Sequence, residues 1–188
     1  GAYYTPLPIV DFMIRTVDAI LKNDFDLADG LADTSKITKK IEIQGKKVLQ
    51  EFHEVQILDP AVGTATFLNE IVKFVRTGFA GQEGRWPAYA RDDLIPRLNG
   101  FELMMAPYTV AHLKLGLTLK ESGVSDFGKR LGVYLTNTLE EGLDRPQNLF
   151  QQPGLAGAVA TEAVIAGEIK NERPIMVVIG NPPYSGVS

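Results

Sequence analysis

Apolar positions along this chain change their period several times, and each change marks an element. Ile9, Phe12, Met13, Val17, Ile20 and Leu21 recur three and four residues apart, which predicts a helix from about Pro8 to Leu21. Asn23 to Asp33 is acidic and broken by glycine, so it reads as loop with at most a helical turn. Lys36 to Val48 alternates apolar and polar and turns near Gly45, which predicts a β-hairpin within residues 34–49. His53 to Leu58 reads as a short strand ending at Asp59, and Phe67, Leu68, Ile71, Val72 and Val75 then return to helical spacing. After a long connection from Gly78 to Pro96 come a second strand, Leu98 to Leu103, and a helix marked by Tyr108, Ala111, Leu115 and Thr118. A third strand covers Gly132 to Thr136. An alanine-rich helix then reaches about Lys170, and Pro174 to Gly180 is the fourth strand.

Strands alternating with helices imply a doubly wound, mostly parallel α/β sheet. The fourth strand is short, rich in β-branched residues and bounded by Pro and Gly, which predicts burial on both faces. Open sheets of this kind place ligands beyond the carboxyl ends of their strands. Those ends fall near Asp59, Glu102, Thr136 and Gly180, so the residues just after them carry the candidate chemistry.

After Gly180 comes Asn181-Pro182-Pro183-Tyr184. Two prolines fix the backbone and remove two amide donors. The Asn amide and neighbouring carbonyls then form a rigid hydrogen-bonding edge beside an aromatic face, which suits a planar amino group. After the first strand, Asp59-Pro60-Ala61-Val62-Gly63-Thr64-Ala65-Thr66-Phe67-Leu68 makes a turn of small residues leading into a helix. Such turns let backbone approach a ligand, and the helix start offers unpaired amides. Three glycines spaced as Gly-x-Gly-x-x-Gly are absent, so the dinucleotide fingerprint does not apply. Glu102 ends the second strand, where a carboxylate can accept bonds from ribose hydroxyls. Asn137-Thr138-Leu139 follows the third strand, and Gly1-Ala2-Tyr3-Tyr4-Thr5-Pro6 precedes the first helix.

Taken in order, these segments resemble the gamma class of N6-adenine DNA methyltransferases. Asn181-Pro182-Pro183-Tyr184 resembles that family's catalytic tetrapeptide, and residues 59–68 its Asp-Pro-x-x-Gly-Thr-Gly-x-Phe-Leu cofactor motif, with Ala65 in place of the second glycine. A position needing positive φ would be strained by that alanine. Tyr4-Thr5-Pro6 is similar to the amino-terminal Thr-Pro motif, and Asn137-Thr138-Leu139 to a segment in which relatives carry Asp. The resemblance implies a Rossmann-like S-adenosylmethionine-dependent methyltransferase fold whose sheet is ordered 3-2-1-4-5-7-6, with this sequence supplying about four core strands. It implies methyl transfer to N6 of a flipped-out adenine in duplex DNA, with Asn181, Pro182, Pro183 and Tyr184 as the catalytic set. S-adenosylmethionine would be held by Tyr4, Thr5, Asp59, Pro60, Ala61, Gly63, Glu102 and Asn137. The spacing is similar to that of large restriction–modification proteins, so residues 1–188 are expected to be an excerpt of one catalytic domain. Residues 1–22 would be its first motif and helix, and residues 53–188 its core.

Composition narrows the classes without naming a reaction. The 188 residues contain no cysteine and two histidines outside any metal-spaced cluster, so no metal site is expected. Both histidines read as structural. No stretch reaches the length of a membrane span, and a cytoplasmic protein is expected. Five lysines in the 12 residues from Lys36 to Lys47 could touch a phosphate backbone, but read first as a solvated hairpin face. A net charge of −4 makes the chain a poor autonomous DNA binder, since duplex affinity draws on neutralised phosphates. Two further readings stay open. One is a protein-glutamine methyltransferase, which also uses Asn-Pro-Pro-Tyr but lacks the Thr-Pro segment. The other is a non-catalytic S-adenosylmethionine-binding module, and self-association of the chain through an open sheet edge is also expected.

Overall fold

The computed structural model describes residues 4–43, 46–139 and 155–182. Helix α1 (Leu7–Asp24) starts after Pro6 and turns Val10, Ile14 and Leu21 inward. Ile9, Phe12 and Ile20 of the apolar pattern remain exposed, so the core-facing stripe is rotated from the one the spacing suggests. Strands β1 (Lys36–Ile43) and β2 (Lys46–His53) pair antiparallel, from Lys36 opposite His53 to Ile43 opposite Lys46. The hairpin therefore extends past residue 49, and His53 ends it rather than opening the first core strand. The adjacent pairs Val48-Leu49 and Gln50-Glu51 interrupt the alternation, which is why the sequence does not show the strand running on to His53. His53 Nε2 lies 3.0 Å from Asp93 Oδ1.

The core strands are β3 (Gln56–Asp59), β4 (Leu98–Glu102), β5 (Val133–Leu135) and β6 (Ile175–Val178). They form one sheet in the order β5-β4-β3-β6, every pair parallel. Counted as core strands, that order is 3-2-1-4, with the sequence of the strands running outward from β3 in both directions. The pleat sends alternate residues to opposite faces. Ile57, Leu98 and Val133 join α2 (Thr66–Thr77) and α4 (Met105–Glu121) through Leu68, Ile71, Val72, Ala111 and Leu115. On the other face, Leu58, Phe101 and Tyr134 meet Ala166 and Ile169 of α5 (Leu155–Glu172).

The connection from Gly78 to Pro96 holds the short helix α3 (Trp86–Tyr89), and Trp86 is buried with its indole N–H donating to Ser122 Oγ at 2.9 Å. Buried Arg97 pins it, donating to the Leu31 carbonyl, the Tyr89 hydroxyl and the Asp93 carbonyl. Strand β6 is not buried on both faces. It is an edge of the described sheet, and Val178 is 63% exposed.

Candidate functional site at the strand ends

Three of the four strand ends converge through hydrogen bonds, and the fourth closes on them by packing. Asp59, the last residue of β3, is buried; its Oδ1 accepts the Ala61 amide at 3.1 Å. Glu102, the last residue of β4, accepts the Gly63 amide on Oε2 and the Met104 amide on Oε1, each at 2.9 Å. The loop is also held by the Val62 amide on the Phe101 carbonyl at 2.8 Å. Past β5, the Thr138 hydroxyl donates to the Pro60 carbonyl, and Asn137 Oδ1 accepts the Leu139 amide at 3.1 Å. Past β6, Gly180 lies against Asp59: a Cβ there would stand 2.4 Å from Oδ1. Asn181 and Pro182 follow directly.

Local conformation explains why small residues occupy the loop. Gly63 has φ +54° and Ala65 has φ 62°, so both are left-handed. Ala65 thus carries the strain expected of an alanine at that place, of about 1–2 kcal/mol. Asn69, one turn into α2, donates through Nδ2 to the Ala65 carbonyl at 2.7 Å and holds the turn. The loop amides of 61, 62 and 63 are already bonded inside the protein. At residues 61–63 the loop therefore has no free amide for a ligand, and the neighbouring carboxylates of Asp59 and Glu102 are its polar groups there.

Electrostatics gives the site its sign. Asp59 Oδ2 is buried and has no hydrogen-bond partner among the described residues. Burial pushes the Asp59 carboxyl up to about 7, the Ala61 bond opposes this, and the neighbouring Glu102 adds to it. Two acids at adjacent strand ends, one with an orphaned oxygen, fit a ligand that carries positive charge. Each carboxylate oxygen can accept more than one bond, so Glu102 retains capacity for hydroxyl donors beside its two amides.

Other expected residues are placed less tightly. Tyr4 is 75% exposed and Thr5 half-buried, just before α1, and neither bonds to this cluster among the described residues. Pro183 and Tyr184 lie outside the described residues. Sequence reasoning missed four contributors: Asn69, Thr138, Gly180 as the close packing partner of Asp59, and the apolar rim of Leu103, Met104 and Met105. That rim is 67%, 56% and 42% exposed directly beside Glu102, where a run of exposed apolar side chains suits the face of an aromatic ring. The signal was present as three large apolar residues following a strand-ending acid.

Elsewhere, a cleft of about 880 Å³ lies at the opposite, amino end of the sheet, near Gln56, Pro96 and Arg173. Its charges are largely paired, Lys36 with Glu51 at 3.1 Å and Arg91 with Asp92 at 2.7 Å, and it contains none of the residues above. Among the described residues no group of three or more His, Asp or Glu could hold a metal ion, and no helix is long and apolar enough to cross a membrane.

No family model and no curated protein matches the sequence. Solved structures do match nearly all of it. The ATP-dependent Type ISP restriction-modification enzyme LlaBIII bound to DNA is similar over 98% of this chain, with TM-score 0.70 and 25% identity. The DrdV-DNA complex is similar over 97%, with TM-score 0.63 and 30% identity. A nuclease-deletion mutant of the Type ISP enzyme LlaGI, in complex with a DNA substrate mimic, shares the fold over 98% at TM-score 0.64 and 22% identity. This chain spans 14% of the DrdV chain, 13% of the LlaGI chain and 11% of the LlaBIII chain. It therefore shares the fold of one small portion of each of these larger chains, two of which are Type ISP restriction-modification enzymes.

Proposed function

We propose that this chain transfers a methyl group from S-adenosylmethionine to N6 of adenine in DNA, within a larger restriction–modification protein. The observation that carries this reading is the contact between Asp59 and Gly180. Two segments far apart in sequence meet at one end of the sheet, one suited to a cationic cofactor and the other to an amino group. The similarity to a DNA-bound restriction-modification enzyme and to the DrdV-DNA complex supports DNA as the partner. Glu102 and the Asp59–Gly63 loop, with Asn137 and the Tyr4-Thr5 segment, would hold S-adenosylmethionine, and the exposed Leu103–Met105 rim would cover its adenine. Bound there, the cofactor supplies an electrophilic methyl on a positively charged sulfur.

The protein's own part is to make a weak nucleophile stronger. The Asn181 side-chain oxygen and the Pro182 carbonyl accept from the two hydrogens of the target amino group, raising electron density on nitrogen as it turns pyramidal. No metal and no covalent enzyme intermediate is required. Because N6 is enclosed in a duplex, the adenine must be flipped out, and Tyr184 would stack on it for about 1–3 kcal/mol. The test is methyl transfer by the protein expressed from its full reading frame, with calorimetry of cofactor binding beside it. Binding without transfer to DNA would reduce the reading to a cofactor-binding module.

A further inference from the structure

Parallel pairing of β3 with β6 delivers the Asn181 turn onto the cofactor loop. The Ile179 amide donates to the Leu58 carbonyl at 3.0 Å, so the next residue arrives over Asp59. A Cβ on Gly180 would meet Asp59 Oδ1 at 2.4 Å, Asp59 Cγ at 3.1 Å and Pro60 Cδ at 3.3 Å. Backbone alone fits that space. The same oxygen accepts the Ala61 amide, so one carboxylate is gripped by the cofactor loop and roofed by the turn into Asn181. Its other oxygen is buried with no partner among the described residues.

We infer that Asp59 is a positioning residue shared by the two loops: it reads the charge of the ligand held at residues 59–63 and, through Gly180, sets the place of Asn181. This rests on the methyltransferase reading above. The charged group facing Asp59 is Glu102 of β4, an acid. The segments after β5 and β6 bring the uncharged Asn137, Thr138, Gly180 and Asn181, and the start of α2 brings Thr66 and Phe67. Lys170 of α5 donates to the Asn137 carbonyl at 2.7 Å. Burial, with Glu102 adding to it against the Ala61 bond, holds the Asp59 carboxyl at about 7. A cationic ligand favours the ionised form, so its entry expels the proton to solvent. A carboxylate that changes charge beneath Gly180 changes what that backbone rests on.

Calorimetry of S-adenosylmethionine binding to the protein expressed from its full reading frame, in buffers of different ionisation enthalpy from about pH 5 to about pH 8, reads this directly. Affinity is expected to fall about tenfold for each pH unit below about 7, with proton release on binding. Asp59→Asn should flatten the profile and abolish the release. Gly180→Ala lies outside the cofactor loop, yet should shift the profile's midpoint by displacing the carboxylate. A profile unchanged by Asp59→Asn overturns the charge reading, and one unchanged by Gly180→Ala overturns the coupling. If Gly180→Ala does not fold, the double variant Asp59→Gly with Gly180→Ala decides: recovery of a cooperative melt supports the contact, and its absence refutes it. A wild-type chain that binds no cofactor defeats the methyltransferase reading and this inference with it. Binding with a flat profile defeats this inference alone.

Discussion

Replacing Asp59 with Asn should stabilise the unliganded chain at neutral and higher pH while weakening its function. The carboxyl is buried, and its pKa is raised from 3.8 to about 7. Its folded form binds a proton more tightly than the unfolded chain does, so stability declines as pH rises from about 4 to about 7. A shift of about three units corresponds to about 4 kcal/mol of destabilisation once the group is ionised. Asn keeps an acceptor for the Ala61 amide but puts an amino group where Oδ2 has no partner, at a cost of about 1–3 kcal/mol. The net expectation at about pH 8 is a gain of about 1–3 kcal/mol, or about 2–4 °C in Tm for each kcal/mol. Below about pH 4 both side chains are neutral, and the variant should be the less stable of the two by the cost of its unpartnered amide, about 1–3 kcal/mol. Urea titrations of wild type and variant across this range measure the difference. A gap that does not grow with pH, or a variant less stable at about pH 8, refutes the picture of a buried, uncompensated carboxylate.

Three other outcomes follow from the same geometry. Glu102→Gln removes one of two carboxylate oxygens that hold backbone amides of Gly63 and Met104, so S-adenosylmethionine binding should weaken about tenfold or more, and unchanged affinity in calorimetry would return Glu102 to a purely structural role. Gly63→Ala should cost about 1–2 kcal/mol in a chemical melt, because the position has space for a methyl but a left-handed φ of +54°; a neutral result would show that the loop relaxes freely. The chain should self-associate through β6, whose edge carries the exposed Val178, and Val178→Lys should suppress this in sedimentation; a strictly monomeric wild type would contradict it.

The sequence showed where strands end more clearly than what they meet. Asp59, Glu102 and Gly180 were legible because each closes a short apolar run, and the change to helical spacing after Ala65 located α2. The 3-2-1-4 order is one that the family resemblance implied and that dinucleotide-binding sheets share, so it supports the α/β class more than the reaction. Contacts between segments distant along the chain were not legible. The packing of Gly180 on Asp59 depends on the β3–β6 register, and the Thr138–Pro60 bond on the turn after β5. Neither register nor turn geometry is written in local periodicity. The exposure of Val178 was missed for the same reason: a short apolar run does not say whether its outer edge is covered. Trp86 and the folded 83–97 segment were missed because three short helical types follow one another there, and none is long enough to show a period.

Methyl transfer in the protein expressed from its full reading frame tests the central claim most directly. Duplex DNA and labelled S-adenosylmethionine would be incubated with wild type and with Asn181→Ala, and the digested nucleosides separated. The expected result is label in N6-methyladenine for wild type and none for Asn181→Ala, with cofactor binding retained by the variant. Label found in protein glutamine, or equal adenine methylation by both proteins, would contradict the assignment.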